Sequence, residues 1–161
     1  MGTGASIGVD QARVSGPTRV LFVCTHNSAR SIMAEALLRK KGGDAFEAAS
    51  AGTEPGEIRS FTLQVLEEAG LPTADLRSKS VSELMGEPFD YVITVCDSAR
   101  QNCPVFPGEG QRMHWGYDDP SAAEGSDEER LQAFRRVFTA LSQRIDLFLN
   151  VERGRSSLEP S

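Results

Sequence analysis

The sequence has no apolar run near the roughly 20 residues that a membrane-spanning helix requires. It also has no basic excess: 17 Lys and Arg stand against 23 Asp and Glu, a formal net charge of −6. That balance argues against a general nucleic-acid binder, which needs a basic footprint. It leaves room for a small anionic ligand, because a few backbone amides and one arginine suffice to make a local positive site. Cysteine is scarce. An odd set of three, Cys24, Cys96 and Cys103, is poor material for a permanent disulfide framework. The stretch MGTGASIGVDQARVSGPTR lacks the apolar centre of a signal peptide, so a cytoplasmic location is expected.

What is present reads as one globular domain. The 161 residues are 39% hydrophobic and 25% charged, enough for one core. Residues 1–17 are rich in Gly and Ser without periodicity and are expected to be a flexible extension. Residues 18–150 form the domain, and 151–161 read as a polar tail.

Within the domain, strand and helix signals alternate. Thr18–Cys24 is a short apolar strand, followed by a helix over Ser31–Lys41 that Gly42-Gly43 stops. Phe46–Ser50 is a second strand. Phe61–Ala69 is a helix, with Ser60 expected as its N-cap. Ser80 and Glu83 suit a capping box on a short helix. Phe89–Cys96 is a strand rich in β-branched and aromatic residues, and Arg112–Trp115 is a candidate fourth. Ser126 and Glu129 form another capping box. Phe134, Phe138, Leu141, Ile145 and Phe148 then recur at steps of four and three, the stripe of a helix packed on a sheet. This alternation predicts an α/β fold with a mostly parallel sheet and helices on both faces. In such sheets ligands bind beyond the carboxyl ends of the strands, where Cys24 and Cys96 both stand.

The stretch CTHNSARS, Cys24 to Ser31, carries the chemistry. A strand, a loop and a helix N-terminus make an anion cradle from inward amides and the helix dipole. Arg30 adds a planar fork of donors suited to a tetrahedral oxyanion. The same positive groups favour the thiolate form of a cysteine placed among them, so Cys24 reads as a nucleophile. Ser31 can hydrogen-bond that sulfur, and Asn27 can fix the loop backbone.

CTHNSARS resembles the phosphate-binding loop of the low-molecular-weight protein tyrosine phosphatases, and the similarity spans roughly residues 18–150. The resemblance implies a three-layer α/β/α domain with a four-stranded parallel sheet. It also implies that Thr25, His26, Asn27, Ser28, Ala29, Arg30 and Ser31 bind the substrate anion. In the phosphatase branch an aspartic acid before a proline protonates the leaving group, and Asp119 in HWGYDDP matches it. Ser121 follows Pro120 where phosphatases usually carry an aromatic.

Three stretches together, CTHNSARS, VITVCDSARQNCPVFPG and HWGYDDP, are similar to the thioredoxin-coupled arsenate reductases. That resemblance implies a relay. Cys24 attacks arsenate, Cys96 attacks Cys24, Cys103 attacks Cys96, and thioredoxin reduces the final disulfide with electrons from NADPH through thioredoxin reductase. It implies no bound cofactor and a monomer. Cys96 and Cys103 are seven residues apart, about 10 Å along a helix, beyond disulfide reach, so the segment between them is expected to change conformation. Some relatives hold a potassium ion near the loop. Glu35 and Ser50 match those positions, and Glu83 stands where others have Asp. Two rivals remain at this point: a phosphatase acting on phosphotyrosine or small aryl phosphates, and a metal or metalloid sensor using Cys24, His26, Cys96, Cys103 and His114. The electron donor also stays open, since some reductases on this fold use glutathione with glutaredoxin, or mycothiol, and the Cys96/Cys103 pair favours thioredoxin.

Overall fold

A computed structural model describes residues 16–106 and 110–158, with side chains to residue 154. Four strands form one all-parallel sheet: β1 (Thr18–Cys24), β2 (Phe46–Gly52), β3 (Tyr91–Thr94) and β4 (Gln111–His114), in the order β2-β1-β3-β4. The helices are α1 (Arg30–Gly42), α2 (Ser60–Glu68), α3 (Asp97–Asn102) and α4 (Asp127–Leu158). Val20 to Cys24 on β1 and all four residues of β3 are buried. Side chains alternate between the faces of a sheet, so both faces of these central strands are covered. This is the expected three-layer α/β/α arrangement.

Register places the chemistry. Cys24 pairs with Gly52 on β2, and Val23 pairs with Thr94 on β3, so β1 and β3 end side by side. Cys24 and Cys96 therefore emerge at the same edge of the sheet.

The capping box expected on α4 is present: Ser126 N donates to Glu129 Oε1 (3.0 Å) and Glu129 N to Ser126 Oγ (3.1 Å). The stripe behind it is seated in the core, with Leu141 and Ile145 fully buried and Phe148 against Phe46, Tyr91 and Trp115.

Several local expectations are corrected. Ser60 is the first helical residue of α2, not its cap; Arg59 holds the cap position and its amide is tied to the Ser28 carbonyl instead. Ser80 does cap a short turn, Val81–Leu84, through the Ser82 amide, but Glu83 turns outward to Arg77. β3 is shorter than Phe89–Cys96 because Cys96 becomes the N-cap residue of α3. The polar segment after residue 150 continues α4 as helix to Leu158. The extension expected at 1–17 lies outside the described residues as far as residue 15. No helix among the described residues is long and apolar enough to cross a membrane.

Candidate active site

The loop from Thr25 to Ala29 joins β1 to α1, and its carbonyls are pulled outward. Cys24 O accepts from Thr53 N (3.1 Å), Thr25 O from Glu54 N (2.8 Å) and His26 O from Gly56 N (3.0 Å). Ser28 O accepts from Arg59 N (3.1 Å) and from the Thr62 hydroxyl (2.9 Å). In a trans peptide the next N–H points opposite to the carbonyl, so the amides of Thr25, His26, Asn27 and Ala29 are turned to the inside of the loop. The segment 53–62 thus builds the anion cradle by occupying the other side of each peptide.

Asn27 locks that shape. Its backbone is left-handed (φ 51°), a conformation asparagine tolerates better than most residues. Its side chain is fully buried. Oδ1 accepts from Lys79 N (2.9 Å), which leaves Nδ2 to donate to Ser31 Oγ (2.8 Å) and Ser50 Oγ (2.9 Å). Ser31 Oγ lies 3.2 Å from Cys24 Sγ. Because Asn27 already donates to that hydroxyl, its own hydrogen is free to point at the sulfur, and Ser31 is a donor to a Cys24 thiolate. Gly52 matters for a different reason: a Cβ there would stand 2.6 Å from Thr25 O and 3.0 Å from Asn27 N. Only glycine lets β2 lie this close behind the loop.

Arg30, the first residue of α1, folds back over the cradle with its side chain only 11% exposed. Nη1 donates to Tyr117 O (2.9 Å), and Nη2 is 3.8 Å from Asp119 Oδ2. Nε is buried without a protein partner among the described residues, a donor that an oxyanion would satisfy. Asp119 caps the turn Pro120–Ala122 through the Ser121 amide (2.9 Å). Cys24, Ser28, Ala29 and Arg30 line one small cleft with His26, Arg59, Asp119 and Ser121. His26 is exposed, its ring bonded to Glu54 O (2.9 Å), as a rim residue would be.

The second thiol is adjacent. Thr25 Oγ1 lies 3.3 Å from Cys96 Sγ, and both sulfurs are buried. Cys103 closes α3 at its far end and is partly exposed. All three cysteines are free thiols.

The candidate potassium ligands do not form a common donor set. Glu35, 1% exposed, accepts from Ser50 Oγ (2.5 Å) and pairs with Arg39, one turn on. Glu83 is spent on Arg77 (2.7 Å). The positive charge beside Glu35 is a guanidinium supplied by the chain itself, so a potassium ion does not fit these residues as they stand. Burial pushes the Glu35 carboxyl up, against the lowering pull of Ser50 and Arg39. Among the described residues no three or more His, Cys, Asp or Glu side chains converge as metal ligands, so the set Cys24, His26, Cys96, Cys103 and His114 is not gathered into one centre.

Sequence reasoning missed Gly52, Arg39, the Lys79 amide and the Tyr117 carbonyl. Arg39 had a signal, its i,i+4 spacing from Glu35. The backbone groups had none.

Comparison with known proteins bears on this geometry. The family model for low molecular weight phosphotyrosine protein phosphatase matches residues 19–157. The arsenate reductase of Halalkalibacterium halodurans is 37% identical over 129 residues, covering 80% of this chain and 93% of that protein. Among solved structures, the arsenate reductase of Archaeoglobus fulgidus superposes with a TM-score of 0.66 at 32% identity, covering 81% of this chain and 98% of the other. The thioredoxin-dependent arsenate reductase of Corynebacterium glutamicum gives 0.56 at 32% identity, covering 83% of this chain and 64% of that one.

Proposed function

The chain belongs to the low molecular weight phosphotyrosine protein phosphatase family, alongside its arsenate reductases, and on that premise we propose that it reduces arsenate to arsenite by a three-cysteine relay that thioredoxin resets. The observation that carries this reading is the contact of Thr25 with Cys96, 3.3 Å, which sets a second buried thiol against the loop that holds the first.

Arsenate is a tetrahedral oxyanion. It is bound by the inward amides and Arg30, with Arg30 Nε donating to one oxygen. The Cys24 thiolate attacks arsenic, an As–O bond breaks, and Asp119 gives its proton so that the oxygen departs as water. Ser31 has held the thiolate, and Arg30 holds the remaining oxygens. Cys96 then attacks Cys24 Sγ. The new S–S bond forms as the S–As bond breaks, its electron pair stays on arsenic, and As(V) leaves as As(III). Cys103 attacks Cys96 Sγ and returns Cys24 to its thiolate. A thioredoxin dithiol takes up the Cys96–Cys103 disulfide. The sum is arsenate and a dithiol giving arsenite, a disulfide and water.

Phosphatase activity is the second reading, favoured by the shared loop and Asp119. Cys103→Ser separates the two. Catalytic arsenate reduction should stop after one turnover while hydrolysis of an aryl phosphate persists. If Cys103→Ser reduces arsenate at the unsubstituted rate, the relay is wrong.

A further inference from the structure

β4 is an edge strand of the sheet, and two of its residues, Arg112 and His114, stand two positions apart and so face the same side. They reach opposite ends of α3. His114 Nδ1 lies 2.8 Å from Thr94 Oγ1 on β3, and its Nε2 is 3.1 Å from Asp97 Oδ1, on the first residue of α3. An Asp97 carboxylate can only accept, so His114 Nε2 is the donor of that contact. At the other end Arg112 Nη1 donates to Cys103 O (3.2 Å) and Nη2 to Pro104 O (2.6 Å). One strand thus grips both ends of the segment that carries the two resolving thiols.

The two grips have different fates in the reaction. Cys96 and Cys103 cap the two ends of α3, and seven residues at helical rise span about 10 Å, whereas a disulfide needs Cα atoms within about 7 Å. Cys103 must travel toward Cys96, and its carbonyl travels with it. The His114–Asp97 contact sits at the stationary end, beside Cys96, and can persist. The Arg112 contacts sit on the residue that moves. Two donors of one rigid guanidinium on adjacent carbonyls fix Cys103 as a fork fixes a carboxylate, which a single ammonium does not reproduce.

We infer that Arg112 is a positioning residue that holds Cys103 in its distal place in the dithiol form, and thereby sets the reduction potential of the Cys96–Cys103 couple. This rests on the relay proposed above. Arg112 binds the reduced conformation and not the oxidised one, so its differential affinity raises the potential and makes the disulfide easier for a thioredoxin to reduce.

The test uses the full chain with Cys24→Ser, so that Cys96 and Cys103 are the only thiols left. Protein is equilibrated in glutathione buffers of graded poise, and dithiol and disulfide are counted by mass after alkylation. Arg112→Ala is expected to shift the equilibrium toward the disulfide about tenfold, about 30 mV more negative for a two-electron couple. Arg112→Lys keeps the charge and loses the fork, and should shift it in the same direction by less. Equal midpoints in all three proteins would overturn the role of Arg112 and leave the relay standing. Failure of the Cys24→Ser protein to form any Cys96–Cys103 disulfide would overturn the relay, and this inference with it.

Discussion

Thr25 Oγ1 stands 3.3 Å from Cys96 Sγ, so the residue that follows the first thiol in the chain touches the second thiol in space. The contact crosses from the cradle loop to the start of α3. In the proposed relay a Cys96 thiolate can only accept, so the Thr25 hydroxyl would be its donor as it attacks Cys24. A hydrogen bond to a charged group is worth about 1.5–3 kcal/mol, so Thr25→Val should slow formation of the Cys24–Cys96 disulfide about ten- to hundredfold. Single-turnover quenching in the Cys103→Ser background measures that step directly. An unchanged rate would show that the hydroxyl does not assist Cys96.

Gly52 tests the loop from behind. A methyl group at that position meets Thr25 O at 2.6 Å and Asn27 N at 3.0 Å, both backbone atoms that cannot rotate away. Gly52→Ala should destabilise the fold by about 1–3 kcal/mol, the usual range for overpacking. Because the displaced atoms belong to the cradle, the variant should also lose the thermal stabilisation that added phosphate or arsenate gives the unsubstituted protein. Thermal unfolding with and without the anion reports both effects.

Glu35 gives a pH dependence with a definite sign. Burial raises its carboxyl above the ordinary 4.5, with Ser50 and Arg39 opposing. In the window between 4.5 and the raised native value, the folded state binds more protons than the unfolded state, so stability falls as pH rises. The group's contribution is complete below 4.5 and is lost as pH rises through the native value. Glu35→Gln keeps an acceptor for Ser50 and removes the titration. Urea unfolding from 4.5 to neutral pH should show the unsubstituted protein losing stability relative to the variant. Parallel curves would contradict it.

The redox segment should reveal itself by amide exchange. Arg100 N is bonded to Cys96 O (3.1 Å) and Cys103 N to Ala99 O (2.8 Å). Closing a Cys96–Cys103 disulfide requires at least part of this turn to open, so both amides should exchange faster after oxidation. Equal protection in the two states would mean that the thiols meet without unwinding α3.

How much of this was legible in the sequence depends on how local each cause is. β1 was readable to its last residue because Val20 to Cys24 are buried on both faces, and the α4 capping box because its two bonds lie within four residues. The loop that gathers Cys24, Asn27, Arg30 and Ser31 was readable from one eight-residue stretch, Cys24 to Ser31. The limits of β3 were not, since Cys96 has strand character in sequence but caps α3 in the fold. The pairing of Glu35 with Arg39 is local, at i,i+4 spacing, and was passed over although its signal was there. The brace from Lys79 N to Asn27 and the reach of Arg112 to two backbone carbonyls leave no sequence trace, because backbone partners carry no residue type.

In the proposed relay three thiols pass two electrons to arsenate and are reset from outside. The direct measurement is NADPH consumption with arsenate, thioredoxin and thioredoxin reductase, leaving out each component in turn. Sustained turnover that requires all of them is the predicted result. No turnover, with aryl phosphate hydrolysed in the same buffer, would contradict the relay and leave a phosphatase in which Cys96 and Cys103 serve another purpose.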